Sequence, residues 1–208
     1  YLSLIWTLFW VVPSPAGEVW TLLWRRWIGV PPVPPASVGD TLFVPSPEGT
    51  IWAVSAKDGR AVWRTEIEGP VRAGPSVRGR TVWVGDLRGR LYGLDRVSGE
   101  VLWVRRLWGK VGHPPVSGPS GVYVATGAGL LYSLDEEGRE RWRVRVPSAP
   151  ASGPVLAGEF VVYPGSDGDL RAYDVEDGEL AWISDLDGIT AGPVQAGEVV
   201  LVGCGGYA

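Results

Sequence analysis

The chain has no asparagine and no methionine, and only one glutamine (Gln195), one cysteine (Cys204) and one histidine (His113). A single cysteine closes no intramolecular disulfide, so cysteine usage leaves the redox compartment open. A single histidine, with no second His or Cys at ligand spacing, gives no support to a zinc site. Lysine is scarce too, with 2 residues against 17 arginines. Loss of thermolabile residues and an excess of Arg give a thermophile-like composition, although a GC-rich genome produces the same Arg bias. There is no strong positive balance, because the net charge is −4. Composition therefore points to neither nucleic acid nor an anionic membrane as partner. Long helical stretches are absent as well. The 30 glycines and 18 prolines break the apolar residues into short pieces, which favours many brief strands joined by turns.

Residues 1–12 carry no charged side chain and hold only two aliphatic hydroxyls, Ser3 and Thr7. The run is too short to cross a bilayer as a helix, but it suits the apolar region of a secretory signal. Ser14 and Ala16, around Pro15, place small residues where a signal peptidase reads. We therefore expect residues 1–16 to be an apolar leader and 17–208 to be the folded domain, exported from the cytoplasm. The alternative is that residues 1–12 form an ordinary buried strand.

A forty-residue period runs through the rest. Trp24, Trp63, Trp103, Trp142 and Trp182 are spaced by 39, 40, 39 and 40 residues, and Gly59, Gly99, Gly138 and Gly178 precede the last four. A second series is TIWAVS (50–55), RLYGLD (90–95), LLYSLD (130–135) and DLRAYD (169–174). A third is TLFV (41–44), TVWV (81–84), GVYV (121–124), FVVY (160–163) and VVLV (199–202), and a fourth is Pro35, Pro75, Pro115, Pro154 and Pro193. Four short strands in forty residues is the size of a propeller blade. The turns agree with this. Gly49, Gly89, Gly129 and Gly168 stand where a hairpin needs positive φ, and Asp95, Asp135 and Asp174 are placed for Asx-turns. The expected fold is an all-β propeller of four-stranded antiparallel blades. Its complete blades lie at roughly 35–74, 75–114, 115–153 and 154–192, with partial blades at both ends. Each tryptophan is expected to fill a seam between blades. Trp108 falls outside the repeated register and is expected on an exposed loop.

LYGLDRVSGEVLW (91–103), LYSLDEEGRERW and LRAYDVEDGELAW resemble the tryptophan-docking motif of the pyrroloquinoline-quinone (PQQ-like) repeat propellers over residues 24–208; IWAVSAKDGRAVW departs by having Ser55 where that family prefers Asp. The resemblance implies a propeller that usually has eight blades, so the chain is expected to be part of a larger ring; the alternative is that residues 5–20 supply the missing strands and close a ring of five blades. It also implies three roles known in the family. These are a protein-interaction scaffold like the propeller subunit of the outer-membrane barrel assembly machinery, a piece of a quinone-dependent alcohol or sugar dehydrogenase, and the sensor part of a membrane receptor or kinase. The dehydrogenases are characterised by an adjacent Cys-Cys disulfide and a calcium-binding Asn. With one Cys and no Asn, this chain holds neither.

Other candidate chemistry reads as structure. His113 precedes Pro114 and reads as a surface loop residue. Asp167 and Asp169 in GSDGDL lack the spacing of an EF-hand and fall on a repeated turn. GCGGYA (203–208) has no following helix to present to a phosphate. Arg141, Arg143 and Arg145 alternate with apolar residues, as expected of charges that guard an outer strand, and Arg25, Arg64 and Arg105 hold comparable places. We expect no catalytic, cofactor-binding or metal-binding residue in this chain. The expected function is a non-catalytic, extracytoplasmic scaffold for a protein partner, with its loops carrying specificity.

Overall fold

The computed structural model describes residues 7–13, 20–27, 33–186, 189–196 and 199–204, and all regular elements among them are strands. A two-stranded sheet comes first, β1 (Thr7–Pro13) with β2 (Trp20–Trp27). Four four-stranded antiparallel sheets follow: β3 (Ala36–Val38), β4 (Thr41–Pro45), β5 (Thr50–Ser55) and β6 (Ala61–Glu66); β7 (Ser76–Arg78), β8 (Thr81–Gly85), β9 (Arg90–Asp95) and β10 (Val101–Arg106); β11 (Val116–Gly118), β12 (Gly121–Thr126), β13 (Leu130–Leu134) and β14 (Glu140–Arg145); and β15 (Val155–Ala157), β16 (Phe160–Pro164), β17 (Asp169–Asp174) and β18 (Leu180–Asp185). A last pair, β19 (Ile189–Ala196) with β20 (Val199–Cys204), ends the series. Within each four-stranded sheet spatial order follows chain order, so every connection is a hairpin. The short first strands β3, β7, β11, β15 and β19 are consecutive neighbours across the sheets. The expected propeller blades are therefore present.

The core lies between the blades. One cluster joins Phe43, Ile51, Ala53 and Trp63 of the first complete blade to Val82, Val84, Tyr92 and Leu94 of the next. The two following seams repeat the pattern, with Trp83, Leu91 and Leu107 against Val122, Val124 and Tyr132, and then Tyr123, Leu131 and Trp142 against Val161, Tyr163 and Tyr173. Alternate residues of each middle strand face opposite seams. This is why TVWVG is buried along its whole length and shows no polar face.

The outer ladder has a feature that the repeat pattern conceals. In each complete blade one residue is extra on the fourth strand, immediately before the tryptophan: Val62, Leu102, Arg141 or Ala181. Such a bulge leaves one residue unpaired, bends the strand and re-aims the next side chain. The β1–β2 pair has the same bulge, with Trp24 opposite Trp10 and Leu22 opposite Val11. It therefore has the register of the third and fourth strands of a blade. Of the expected leader 1–16, residues 7–13 form β1, and residues 1–6 and 14–16 lie outside the described residues.

Each docked tryptophan reaches the following blade. Trp63 Nε1 donates to the Arg96 carbonyl at 2.9 Å, Trp103 Nε1 to Glu136 at 2.8 Å, and Trp142 Nε1 to Val175 at 3.1 Å. The acceptor is 33 residues on in all three cases. The turns that receive them are tied as expected: Asp95 Oδ1 accepts the N–H groups of Val97 and Ser98, Asp135 Oδ1 that of Glu137, and Asp174 Oδ1 that of Glu176. Ser55 Oγ does the same for Lys57 at 3.3 Å. Trp63 and Trp142 are each 8% exposed, whereas Trp103 is half-buried. The turn that receives Trp103, Asp135 to Gly138, is one residue shorter than the other two.

Trp182 departs from the expected mortar role, being 41% exposed. Instead it borders a cleft of about 660 Å³ with Phe160, Leu170, Ser184 and Val200. The side chain of Trp24 lies outside the described set.

Candidate interaction surface

Two kinds of connection meet at one end of each blade: the turn between second and third strands, and the loop leaving the fourth. One hydrogen bond fastens them together in three successive blades. Ile67 N donates to Gly49 O at 2.9 Å, Leu107 N to Gly89 O at 2.7 Å, and Val146 N to Gly129 O at 2.8 Å. The turn glycines have φ of 101°, 80° and 69°, as the hairpin geometry requires. Ile67, Leu107 and Val146 are all buried beneath the loop. The frame is constant, and only the residues projecting from it vary.

The second complete blade projects the most distinctive set. Its loop is pinned on both sides by Leu107 and Val111, which are 5% and 0% exposed. The N–H of Val111 donates to Asp86 O at 3.0 Å, that of Gly127 donates to Lys110 O at 2.9 Å, and that of Trp108 donates to the Tyr132 hydroxyl at 3.1 Å. Between these anchors the Trp108 side chain stands 74% exposed. Its loop position agrees with expectation. A cleft of about 560 Å³ adjoins it, lined by Leu87, Arg88, Arg106, Leu107, Trp108 and Lys110. Among the described residues no ion pair engages Arg88, Arg106 or Lys110, whereas Arg64, Arg80, Arg90, Arg139, Arg141 and Arg171 are all paired.

Asp86 braces this cleft from below and is fully buried. Its Oδ1 accepts the N–H groups of Arg88 at 2.9 Å and Arg90 at 2.8 Å, and its Oδ2 accepts Arg90 Nε at 2.9 Å and the Tyr92 hydroxyl at 3.3 Å. Arg90 continues outward to Glu68. A buried carboxylate with this many donors fixes the turn that carries Arg88. The sequence reading passed over Asp86. Its signal was an Asp opening the DLRG turn with an Arg four residues later.

The sequence candidates fall apart in space. His113 is half-buried rather than a plain surface residue. It lines a second cleft of about 210 Å³ with Lys110, Gly127, Ala149 and Pro150. Burial pushes its imidazole below the usual value, and Lys110 adds to that, while a hydrogen bond to the Pro150 backbone opposes it. Asp167 and Asp169 bind the guanidinium of Arg171, each at 2.6 Å from Nη2, and Ser148 Oγ donates to Asp167 at 2.9 Å. Arg141 crosses the seam to Glu176 at 2.7 Å and Arg105 Nε donates to Gly138 O at 2.7 Å, so these two arginines tie blades together. Residues 205–208 of GCGGYA lie outside the described set.

Four-strand blades with tryptophans docked across three successive seams define the class as a PQQ-like repeat β-propeller. The family described as outer membrane protein assembly factor BamB matches residues 13–117 and 88–207, and the chain belongs to that family. Curated relatives with this same name include one from Bordetella pertussis, 26% identical over 167 residues, and one from Burkholderia pseudomallei, 31% identical over 150 residues. The alignments cover 80% and 71% of this chain, and 33% and 28% of those proteins, so the chain spans about a third of the relatives' length. Among solved structures, BamB from Moraxella catarrhalis superimposes with a TM-score of 0.73 at 22% identity, covering 83% of this chain and 54% of that one. Sqt1 from Saccharomyces cerevisiae gives 0.80 at 12% identity, covering 95% and 63%. The computationally designed Ika8 protein gives 0.78 at 15% identity, covering 88% and 58%. These three likenesses show the fold.

Proposed function

We propose that this chain is a non-catalytic scaffold of the cell envelope that binds a protein partner through its loop face. The observation that carries the reading is the repeated loop frame, which holds Trp108 out into solvent on a backbone bonded at both ends. A large aromatic presented on a rigid support loses little entropy on binding, which is the usual make-up of an interface hot spot. Membership of a family named for outer membrane protein assembly supports an extracytoplasmic setting. No helix among the described residues is long and apolar enough to cross a membrane.

The test is site-specific photocrosslinking after export in a Gram-negative host. A photoreactive residue at position 108 should give a discrete protein adduct. One at Val97, 72% exposed on a turn that joins the third and fourth strands, should give none. Absence of any adduct from position 108 would sink the scaffold reading for this face. N-terminal sequencing of the same exported protein reads the fate of residues 1–16: a start at Gly17 supports a leader, and a retained β1 supports a blade strand.

A further inference from the structure

We propose that the Trp108 cleft binds an acidic peptide segment that carries an apolar or aromatic side chain; this rests on the scaffold reading and names the chemistry of its partner. Three cations border one cleft, Arg88 from the turn, Arg106 from the end of β10 and Lys110 from the loop, and none is neutralised by a carboxylate among the described residues. The indole of Trp108 lies among them. Carboxylates answer the guanidinium groups, which hold them in two-pronged hydrogen bonds. An apolar side chain in the same segment would cover the exposed indole.

The frame-equivalent positions argue that this chemistry is particular to one blade. Where the second blade has Arg88, the turns of its neighbours carry Glu48, Ala128 and Asp167. Where it has Trp108, the preceding blade has Glu68, whose carboxylate is spent on Arg90. Arg72, Arg78, Arg96, Arg105 and Arg145 also lack an ion pair among the described residues, but Arg88, Arg106 and Lys110 border one cleft of about 560 Å³, within a chain of net charge −4. Glu48, on the equivalent turn of the preceding blade, is exposed and has no ion pair among the described residues. A long polyanion such as a nucleic acid, or an anionic bilayer, would meet that repulsion. A segment of a few residues confined to the second blade would not.

The test uses the whole chain and a fluorescein-labelled peptide, Asp-Glu-Phe-Asp-Glu, followed by anisotropy at low and high salt. Binding should weaken about tenfold or more in Trp108→Ala and in Arg106→Glu/Lys110→Glu. It should also weaken when the peptide's acids are replaced by Asn and Gln, and when salt is raised. All three positions are exposed, so the variants should keep the parent's melting temperature, which is measured alongside. The proposal is overturned if the amide peptide binds as well as the acidic one, or if the variants bind unchanged. It is also overturned if a single-stranded oligonucleotide or phosphatidylglycerol vesicles compete better than the acidic peptide. A protein adduct from position 108 together with indifference to peptide charge would refute the acidic partner and leave the scaffold standing. Tight binding of the acidic peptide with no adduct would refute the scaffold instead.

Discussion

The ring of Trp63 lies across the backbone of Gly99, a residue of the next blade. A methyl group added at Gly99 would stand 2.5 Å from Trp63 Cδ2 and 2.8 Å from Thr65 Oγ1, and the Thr65 hydroxyl already donates to Gly99 O at 2.5 Å. Gly138 meets Trp103 in the same way at 2.6 Å, and Gly178 meets Trp142 at 2.7 Å. The motif glycine therefore has two tasks. It takes a left-handed conformation in its own turn, and it leaves room for the preceding blade's indole.

Substitutions at two glycines separate those tasks. Gly99 has φ of 76° and is crowded by Trp63, whereas Gly158 has φ of 59° and open space where a Cβ would stand. Gly158→Ala should cost only the backbone strain, about 1–2 kcal/mol. Gly99→Ala should add an overpacking penalty of about 1–3 kcal/mol. Urea melts of both variants check this, and equal losses would mean that the indole does not occupy that space.

The repeated tryptophans should not be equivalent. Trp63→Ala and Trp142→Ala remove large buried aromatics and should each cost about 3–5 kcal/mol. Half-buried Trp103 should cost less than either. Trp182, at 41% exposed, should cost less again. Trp108→Ala should change stability by only about 0.5 kcal/mol, as for an ordinary surface site. Denaturant melts followed by two probes rank the series while testing whether unfolding is cooperative. A loss at Trp182 as large as at Trp63 would contradict the exposure seen here.

Acid should loosen the fourth complete blade through Asp167. The hydrogen bond from Arg171 holds its carboxyl down at about 2, against burial, with help from Ser148. The folded value lies below the ordinary carboxylate value, so this contribution is complete above pH about 4 and is lost as pH falls toward about 2. Asp167→Asn should lower stability at pH 7 and flatten the acid limb in that window. Chemical denaturation at pH 7, 4, 3 and 2 reads both effects, and an unchanged acid limb would count against the pairing.

His113 predicts a second pH effect at milder acidity. Burial depresses its imidazole below 6.5, so the unfolded chain takes up that proton first. Stability should be highest above about pH 7 and decline as pH falls through about 6.5. His113→Gln should remove that decline, and a parent melting temperature that is flat from pH 7.5 to 5.5 would refute it.

Much of the fold was legible in the chain because the blade is a local object. The forty-residue period, the hairpin glycines and Asp95, Asp135 and Asp174 all act within a few residues of themselves, and backbone sterics determine the outcome. Sequence also placed Trp108 off the repeat and on a loop. It did not reveal the bulge before each tryptophan, because an extra residue in one strand is visible only against its paired partner. Nor could it show that Gly99 serves Trp63, 36 residues earlier, rather than its own Trp103. Which turn lies over which indole depends on how successive blades are rotated against each other. The same holds for the interaction surface. Arg88 and Lys110 are 22 residues apart along the chain, and they border one cleft only because the hairpins of a blade return to the same end. The chain by itself determined the blades and their turns. Tertiary structure alone decided which faces they hide, since burial and unpaired charge arise from neighbours distant in sequence.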